Sequence, residues 1–185
     1  YYNRGLYSVI ITPVVTQLER NRVNIEIQIS EGSIAKIASI DFVGNKIYST
    51  EQLRKEMYLT TGNWMSWWYK DNQYSSDKLA GDFEKIRAFY LNNGYIDFRL
   101  NSAQIQLSPD KQSVFITGNL FEGEQYRFKS IQLAGDYKDI PPNVLAPLIT
   151  VKPGQIINQE TLNKNIEEIK NTMGNYGYAF ANDNP

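Results

Sequence analysis

Asp71, Asp77, Asp82 and Glu84 bring four carboxylates into one short stretch of the chain. Two carboxyl groups flanking a bond, one protonated and one ionised, are the equipment of acid–base hydrolysis. Nothing in the flanking sequence raises one of these four pKa values, and Asp82 stands at a helical offset from the apolar face of its helix. All four therefore read as solvated carboxylates. The chain holds no His and no Cys. That removes the commonest general base and metal ligand, the thiolate nucleophile and any disulfide. The sequence thus predicts no catalytic residue, no metal site and no cofactor. An enzyme whose active site falls in the aromatic stretch described next is the weakest alternative.

Trp64, Trp67, Trp68 and Tyr69 form the second chemically distinctive group. Exposed, such rings would anchor a partner surface. More commonly they fasten a long inter-helix loop to its own core, and that is the expectation here. A contact loop of Trp64, Trp67 and Trp68 is the alternative.

The elements that position these residues recur along the chain. Val23 to Gly32 returns as Val114 to Gly123, 91 residues on, and Ser39 to Asn45 is answered by Ser130 to Asp136. A repeat of this size is a small domain. In its complete copy, Ile34, Ala38, Ile40 and Phe42 predict a half-buried strand over 34–43, turned by Gly44-Asn45. Ser49-Thr50-Glu51-Gln52 has the capping-box pattern, and Leu53 and Met57 follow as a short helix. A second helix begins near Ser76. Leu79, Phe83, Ile86 and Tyr90 share one face of it, and Gly94 is its left-handed C-terminal residue. Strands over 98–107 and 114–120 complete the unit around the turn Ser108-Pro109-Asp110-Lys111. The apolar phase changes between Leu100 and Ile105, which predicts a β-bulge. Gly81 inside the second helix reads as a concession to close packing.

The first copy supplies only a hairpin, Tyr7 to Val15 and Val23 to Ile29, around Glu19-Arg20-Asn21-Arg22. The third supplies a strand over Phe128 to Leu133, a short helix from Pro142 to Ile149, and a helix with Leu162, Ile166, Ile169 and Met173 at the same spacing as in the middle copy. The organisation expected is 1–32 as a C-terminal hairpin, 33–123 as a complete β-α-α-β-β domain and 124–185 as a β-α-α part. The linkers are very short, so Gly32, Ser33, Gly123 and Glu124 read as inter-domain hinges. Glu31 and Glu122 would serve as caps or inter-domain contacts. The chain has 185 residues, 42% hydrophobic, and a formal net charge of −1. This offers no electrostatic footprint for nucleic acid, and no apolar run is long enough to span a bilayer. It begins at Tyr1 without Met and reads as a piece of a longer protein.

A β-α-α-β-β unit with Val43-Gly44-Asn45 after its first strand, Asn93-Gly94-Tyr95 after its second helix and Glu122-Gly123 at its end resembles the POTRA domain. Leu18-Glu19-Arg20-Asn21-Arg22-Val23, Trp67-Trp68, Lys78-Leu79-Ala80-Gly81-Asp82 and Leu107-Ser108-Pro109-Asp110-Lys111 carry the resemblance further, and it covers the whole chain. It implies an α+β fold of tandem POTRA domains, each with a three-stranded mixed sheet and two helices on one face. It also implies a periplasmic scaffold arm in a Gram-negative outer-membrane protein, rather than an enzyme. The partners implied are accessory outer-membrane lipoproteins, with a β-propeller lipoprotein at the middle domain, and unfolded outer-membrane proteins. Membrane contact would run only through a C-terminal barrel absent from this sequence. The arm of a related secretion or translocation pore is the alternative within the family.

By position, the resemblance assigns partner binding to the edge strand Asn101, Ser102, Gln104, Ile105, Gln106 and Leu107. Main-chain chemistry supports that choice, because an unpaired strand edge templates an incoming strand with little regard to sequence. Neither Lys nor Pro blunts residues 101–107. The outer pieces, 1–32 and 124–185, are complementary parts of one domain, so intermolecular completion of half domains between two copies is a further expectation.

Overall fold

A computed structural model describes residues 1–62, 66–135 and 140–178, without the side chains of Trp67 and Pro142. The chain forms two compact units. One comprises Tyr1–Ile86 with Arg99–Phe121, and the other Arg87–Phe98 with the chain from Glu122 onward.

In the first unit, β1 (Ile10–Leu18) and β2 (Arg22–Ser30) pair antiparallel as a two-stranded ribbon. Arg20 and Asn21 take left-handed backbone angles in the connecting turn. Every residue of both strands is exposed. The main sheet contains β3 (Lys36–Val43), β4 (Arg99–Leu107) and β5 (Ser113–Phe121). Its order is β3-β5-β4, with β3 parallel and β4 antiparallel to the central β5. Alternation along β5 buries Val114, Ile116 and Leu120. They meet Ile37, Ile40 and Phe42 of β3 on the same face. Gly118 completes that row, because a Cβ there would lie 2.9 Å from the Phe42 ring.

The expected phase of β3 is corrected in its first half. Ile37 is buried and Ala38 exposed, because the register shifts between Ile37 and Ser39. The bulge re-aims the apolar row by one residue.

α1 (Thr50–Lys55) starts at Ser49 with both hydrogen bonds of the capping box in place. α3 (Ser76–Asn92) buries Leu79, Ile86 and Tyr90, with Phe83 half-buried. It ends in a Schellman arrangement. The Tyr95 N–H donates to the Tyr90 carbonyl at 3.0 Å, the Gly94 N–H to Leu91 at 3.3 Å, and Gly94 has φ 86°. Gly81 does not serve close packing: an added Cβ would meet nothing within 4 Å. Gly81→Ala therefore gains helix propensity without a clash. It should stabilise the fold by about 0.5–1 kcal/mol, read as a higher urea midpoint at unchanged slope.

In the second unit, the Tyr90 ring stacks on Phe98 at 4.2 Å and meets Tyr95 edge-on. α4 (Pro142–Leu145) runs into a short 3-10 turn at Ala146–Leu148. α5 (Gln159–Asn175) is N-capped by Asn158. Leu162, Ile166, Ile169 and Met173 lie half-buried along it. Asn165 is buried on the same helix and accepts from the Thr150 N–H at 2.9 Å. The expected strand over Phe128–Leu133 does not form among the described residues. Only an isolated bridge, Arg127 with Ile156, stands there. The Phe128 N–H donates to the Gln155 carbonyl at 2.9 Å and its carbonyl accepts from the Gly154 N–H at 2.7 Å, but this pairing does not extend into a ladder among the described residues.

Candidate strand-docking edge

β4 is an edge strand, hydrogen-bonded to β5 alone among the described residues. The predicted bulge is present: the register shifts between Leu100 and Ser102, leaving Asn101 as the extra residue. Beyond it the pairing is regular from Ser102 opposite Asn119 to Leu107 opposite Val114.

The turn fixes which backbone groups face outward. The Ser108 N–H donates to the Ser113 carbonyl at 2.9 Å, so these two residues form a hydrogen-bonded pair. Hydrogen-bonded and non-hydrogen-bonded pairs alternate along an antiparallel ladder. Gln106, Gln104 and Ser102 therefore direct their backbone groups to β5. Leu107, Ile105 and Ala103 direct theirs to the open side. The turn itself is held by the Asp110 carboxylate, which accepts from Ser108 Oγ and the Gln112 N–H. These bonds hold the Asp110 carboxyl below the usual carboxylate range.

The opposite edge of the sheet is closed. Along β3 the Ile37 N–H donates to the Asn72 carbonyl at 2.8 Å, and the Tyr74 N–H donates to the Ala35 carbonyl at 3.0 Å. Arg54 Nε donates to the Ile40 carbonyl at 2.6 Å, while its Nη2 bonds Asp41 at 2.8 Å. One loop segment, 72–74, and one guanidinium thus occupy groups that would otherwise pair with a further strand. Among the described residues the sheet thus has one closed edge and one open edge.

The two faces of β4 differ. Directly opposite residues share a face, so Ile105 and Leu107 lie with the buried Ile116 and Val114. Both nevertheless remain 43% and 37% exposed. Ser102, Gln104 and Gln106 lie on the other face, with Asn119, Thr117 and Phe115. Arg99 ends that row, its guanidinium 4.6 Å from the centre of the Phe121 ring.

The aromatic stretch departs from expectation. Ser66–Tyr69 forms a helical turn, α2. Trp68 is 70% exposed and Tyr69 is exposed as well, so neither packs into the core. Four residues make a single helical turn, too short to bury two bulky rings that project from different sides. Trp64 lies outside the described residues, as does the Trp67 side chain.

Asp82 overturns the reading of a solvated carboxylate. It is 1% exposed. One carboxylate oxygen accepts from the Tyr58 N–H at 2.7 Å and from Lys85 Nζ at 2.8 Å; the other accepts from the Leu59 N–H at 2.8 Å. It anchors the segment after α1 to α3. The signal was present in the spacing: Leu79, Asp82, Phe83 and Ile86 fall at i, i+3, i+4 and i+7, which puts Asp82 within the buried stripe. Asp71 is half-buried, and its Oδ1 has no hydrogen-bond partner among the described residues. No group of three or more acidic side chains able to hold a metal occurs among those residues.

The glycines at the repeat ends are tightly packed. Gly32 and Gly123 have φ 69° and 74°, and a Cβ on either would lie 2.9 Å from the Cβ of Ser8 or Asp97 respectively. The backbone beyond each is tied back in the same manner. The Ala35 N–H donates to the Gly5 carbonyl at 2.8 Å, and the Tyr126 N–H to the Gly94 carbonyl at 2.8 Å. Ser33 and Glu124 lie between these fixed points. Glu122 is buried and accepts from Tyr90 Oη at 2.7 Å, whereas Glu31 is exposed. Tyr126 Oη donates to Asp97 at 2.8 Å, and the neighbouring carboxylate raises the Tyr126 pKa.

Comparison with known proteins agrees with this architecture. The family model described as POTRA, surface antigen variable number repeat, matches residues 35–123 and again 126–185. Outer membrane protein assembly factor BamA of Neisseria meningitidis serogroup B is 41% identical over 181 residues, 98% of this chain and 23% of that protein. BamA of Buchnera aphidicola is 30% identical over 87% of this chain and 26% of its own length. The chain thus spans about a quarter of the curated relatives it matches. The crystal structure of BamA POTRA domains 3–5 from Haemophilus influenzae superposes with a TM-score of 0.66 at 27% identity, covering 79% of this chain and 57% of that one. Matched twice in succession by the same domain model and built on the mixed sheet β3-β5-β4, the chain belongs to the POTRA family.

Proposed function

We propose that this chain is part of a periplasmic scaffold arm that docks partners for β-barrel assembly in the outer membrane of a Gram-negative bacterium. Docking takes place by strand addition to β4. The observation that carries the reading is the asymmetry of the sheet: the β3 edge is occupied by Asn72, Tyr74 and Arg54, while β4 has no second neighbour among the described residues. The identity to assembly factors supports the biological setting. The partners are a β-propeller outer-membrane lipoprotein and unfolded outer-membrane proteins, which share extended backbone and little sequence. The domain organisation is a hairpin at 1–32, a whole domain at 33–123 and a part carrying α4 and α5 at 124–185, with joints at Gly32-Ser33 and Gly123-Glu124.

The exposure of Trp68 favours a second contact, at α2, as an aromatic anchor for the same partners. Binding of a purified β-propeller lipoprotein and of a urea-unfolded barrel protein to the immobilised chain tests both sites. Ile105→Arg should weaken capture of both partners at least tenfold, and Trp68→Ala should weaken capture of the lipoprotein. Full binding by Ile105→Arg would overturn the β4 assignment.

A further inference from the structure

The two faces of the ribbon β1–β2 differ in chemistry. Ile11 pairs with Ile29, Val15 with Ile25 and Gln17 with Val23, so Ile11, Val15, Val23, Ile25, Ile27 and Ile29 share one face. All six are exposed. The other face pairs Thr12 with Gln28, Val14 with Glu26 and Thr16 with Asn24. A continuous apolar face of this kind marks a contact surface. The repeat shows what covers such a face. β2 answers β5 residue by residue, so Val23, Ile25, Ile27 and Ile29 stand where Val114, Ile116, Gly118 and Leu120 stand in the whole domain. There α3 lies over the row: a Cβ on Gly118 would be 3.5 Å from the Phe83 ring. α5 has the same 17 residues as α3 in length, with Leu162, Ile166 and Ile169 at the places of Leu79, Phe83 and Ile86. Leu79 and Ile86 are buried, whereas Leu162 and Ile169 are only half-buried. Residues 128–133 fit the same scheme. Their counterpart in β3 pairs parallel with β5, but their own pairing stops at Phe128 among the described residues. β2 pairs with β1 alone among those residues.

We propose that the apolar face of the ribbon is covered by residues 124–185 of a second copy of this chain. α5 of that copy lies over the face, with Ile166 against Ile27. Its residues 128–133 add parallel to β2, with Ile131 beside Ile25 and Leu133 beside Ile27. That is the register of Ile40 with Ile116 and Phe42 with Gly118. Two chains then build one β-α-α-β-β domain. The contact joins unlike faces, so it closes as a reciprocal pair or propagates from copy to copy. It is independent of strand docking at β4, because none of these elements belongs to that edge.

Sedimentation velocity of the full chain over a range of concentrations reads the number of copies. Mass should rise from one copy to two or more with concentration. Ile27→Asp spoils the ribbon face and Ile166→Asp the helix face. Each variant alone should remain at one copy with an unchanged circular-dichroism spectrum. An equal mixture should regain association, because the ribbon of Ile166→Asp still meets α5 of Ile27→Asp. Amide exchange supplies a second reading on the parent. The Ile40 carbonyl turns away from β5 to Arg54, so Ser39 and Asp41 turn their backbone groups to β5. Their counterparts, Ser130 and Gln132, should exchange about tenfold more slowly in concentrated than in dilute samples. A single copy at every concentration would overturn the proposal, and slow exchange at Ser130 and Gln132 in that state would assign the cover to the same chain. Association that survives in Ile166→Asp alone would overturn it in favour of ribbon meeting ribbon, and a mixture that stays at one copy would overturn it as well.

Discussion

Ile105→Pro should reduce capture of an added strand by at least tenfold and leave the domain folded. Proline removes one backbone donor and is tolerated on an edge strand only where that donor faces solvent. The pairing fixed by the Ser108–Ser113 bond turns the Ile105 N–H to the open side, so the ladder to β5 loses nothing. The incoming strand loses a central main-chain bond and meets the pyrrolidine ring where its own backbone must lie. Gln104→Pro is the contrasting variant. Its N–H faces β5, opposite Thr117, and its loss removes a bond from the three-stranded sheet. That substitution should destabilise the domain by about 3 kcal/mol. Circular dichroism with urea melts, alongside binding to an unfolded barrel segment, separates the two. Should both prolines unfold the domain equally, the assignment of outward groups would be wrong.

Asp82→Ala should cost about 2–4 kcal/mol of stability, the largest effect expected of a single substitution away from the edge. The carboxylate is buried and satisfies the N–H groups of Tyr58 and Leu59 together. Its removal leaves the Leu59 N–H buried without an acceptor, a cost borne in full because water does not reach it. Lys85 loses its ion pair as well. That contributes less, because the Lys85 side chain is 53% exposed and solvent screens it. Asp82→Asn should recover only part of the loss, since an amide presents one acceptor where two donors converge. A urea melt of Asp82→Ala within about 0.5 kcal/mol of the parent would show that the contacts to Tyr58 and Leu59 carry no weight.

Local patterns were readable in the chain, and non-local pairings were not. The capping box at Ser49, the Schellman end at Gly94 and the bulge after Leu100 all depend on residues within a few positions, and each appears in the structure. The spacing puts Ala38 on the core face, but Ile37 and Ala38 are both apolar, so either phase fits. Only pairing with β5 selects Ile37. Residue type puts Trp68 in the core, but a single turn of helix leaves it exposed. The strand expected at Phe128–Leu133 has suitable residues, but its backbone pairing does not continue beyond Phe128 as a ladder among the described residues. The closed β3 edge depends on Arg54 and Asn72, both far from β3 in sequence, and no spacing rule announces that they would meet Ile40 and Ile37. The open edge was legible from the β-α-α-β-β order, but the direction of its backbone groups required the turn geometry.

Residue-resolved amide exchange of the chain, with and without an alternating strand peptide, tests the central claim most directly. The free chain should show fast exchange at Ala103, Ile105 and Leu107 and slow exchange at Ser102, Gln104 and Gln106. Peptide binding should slow the first three and leave β3 unchanged. Protection confined to Ser66–Tyr69 or to the β3 edge, or slow exchange at Ile105 before any peptide is added, would contradict it.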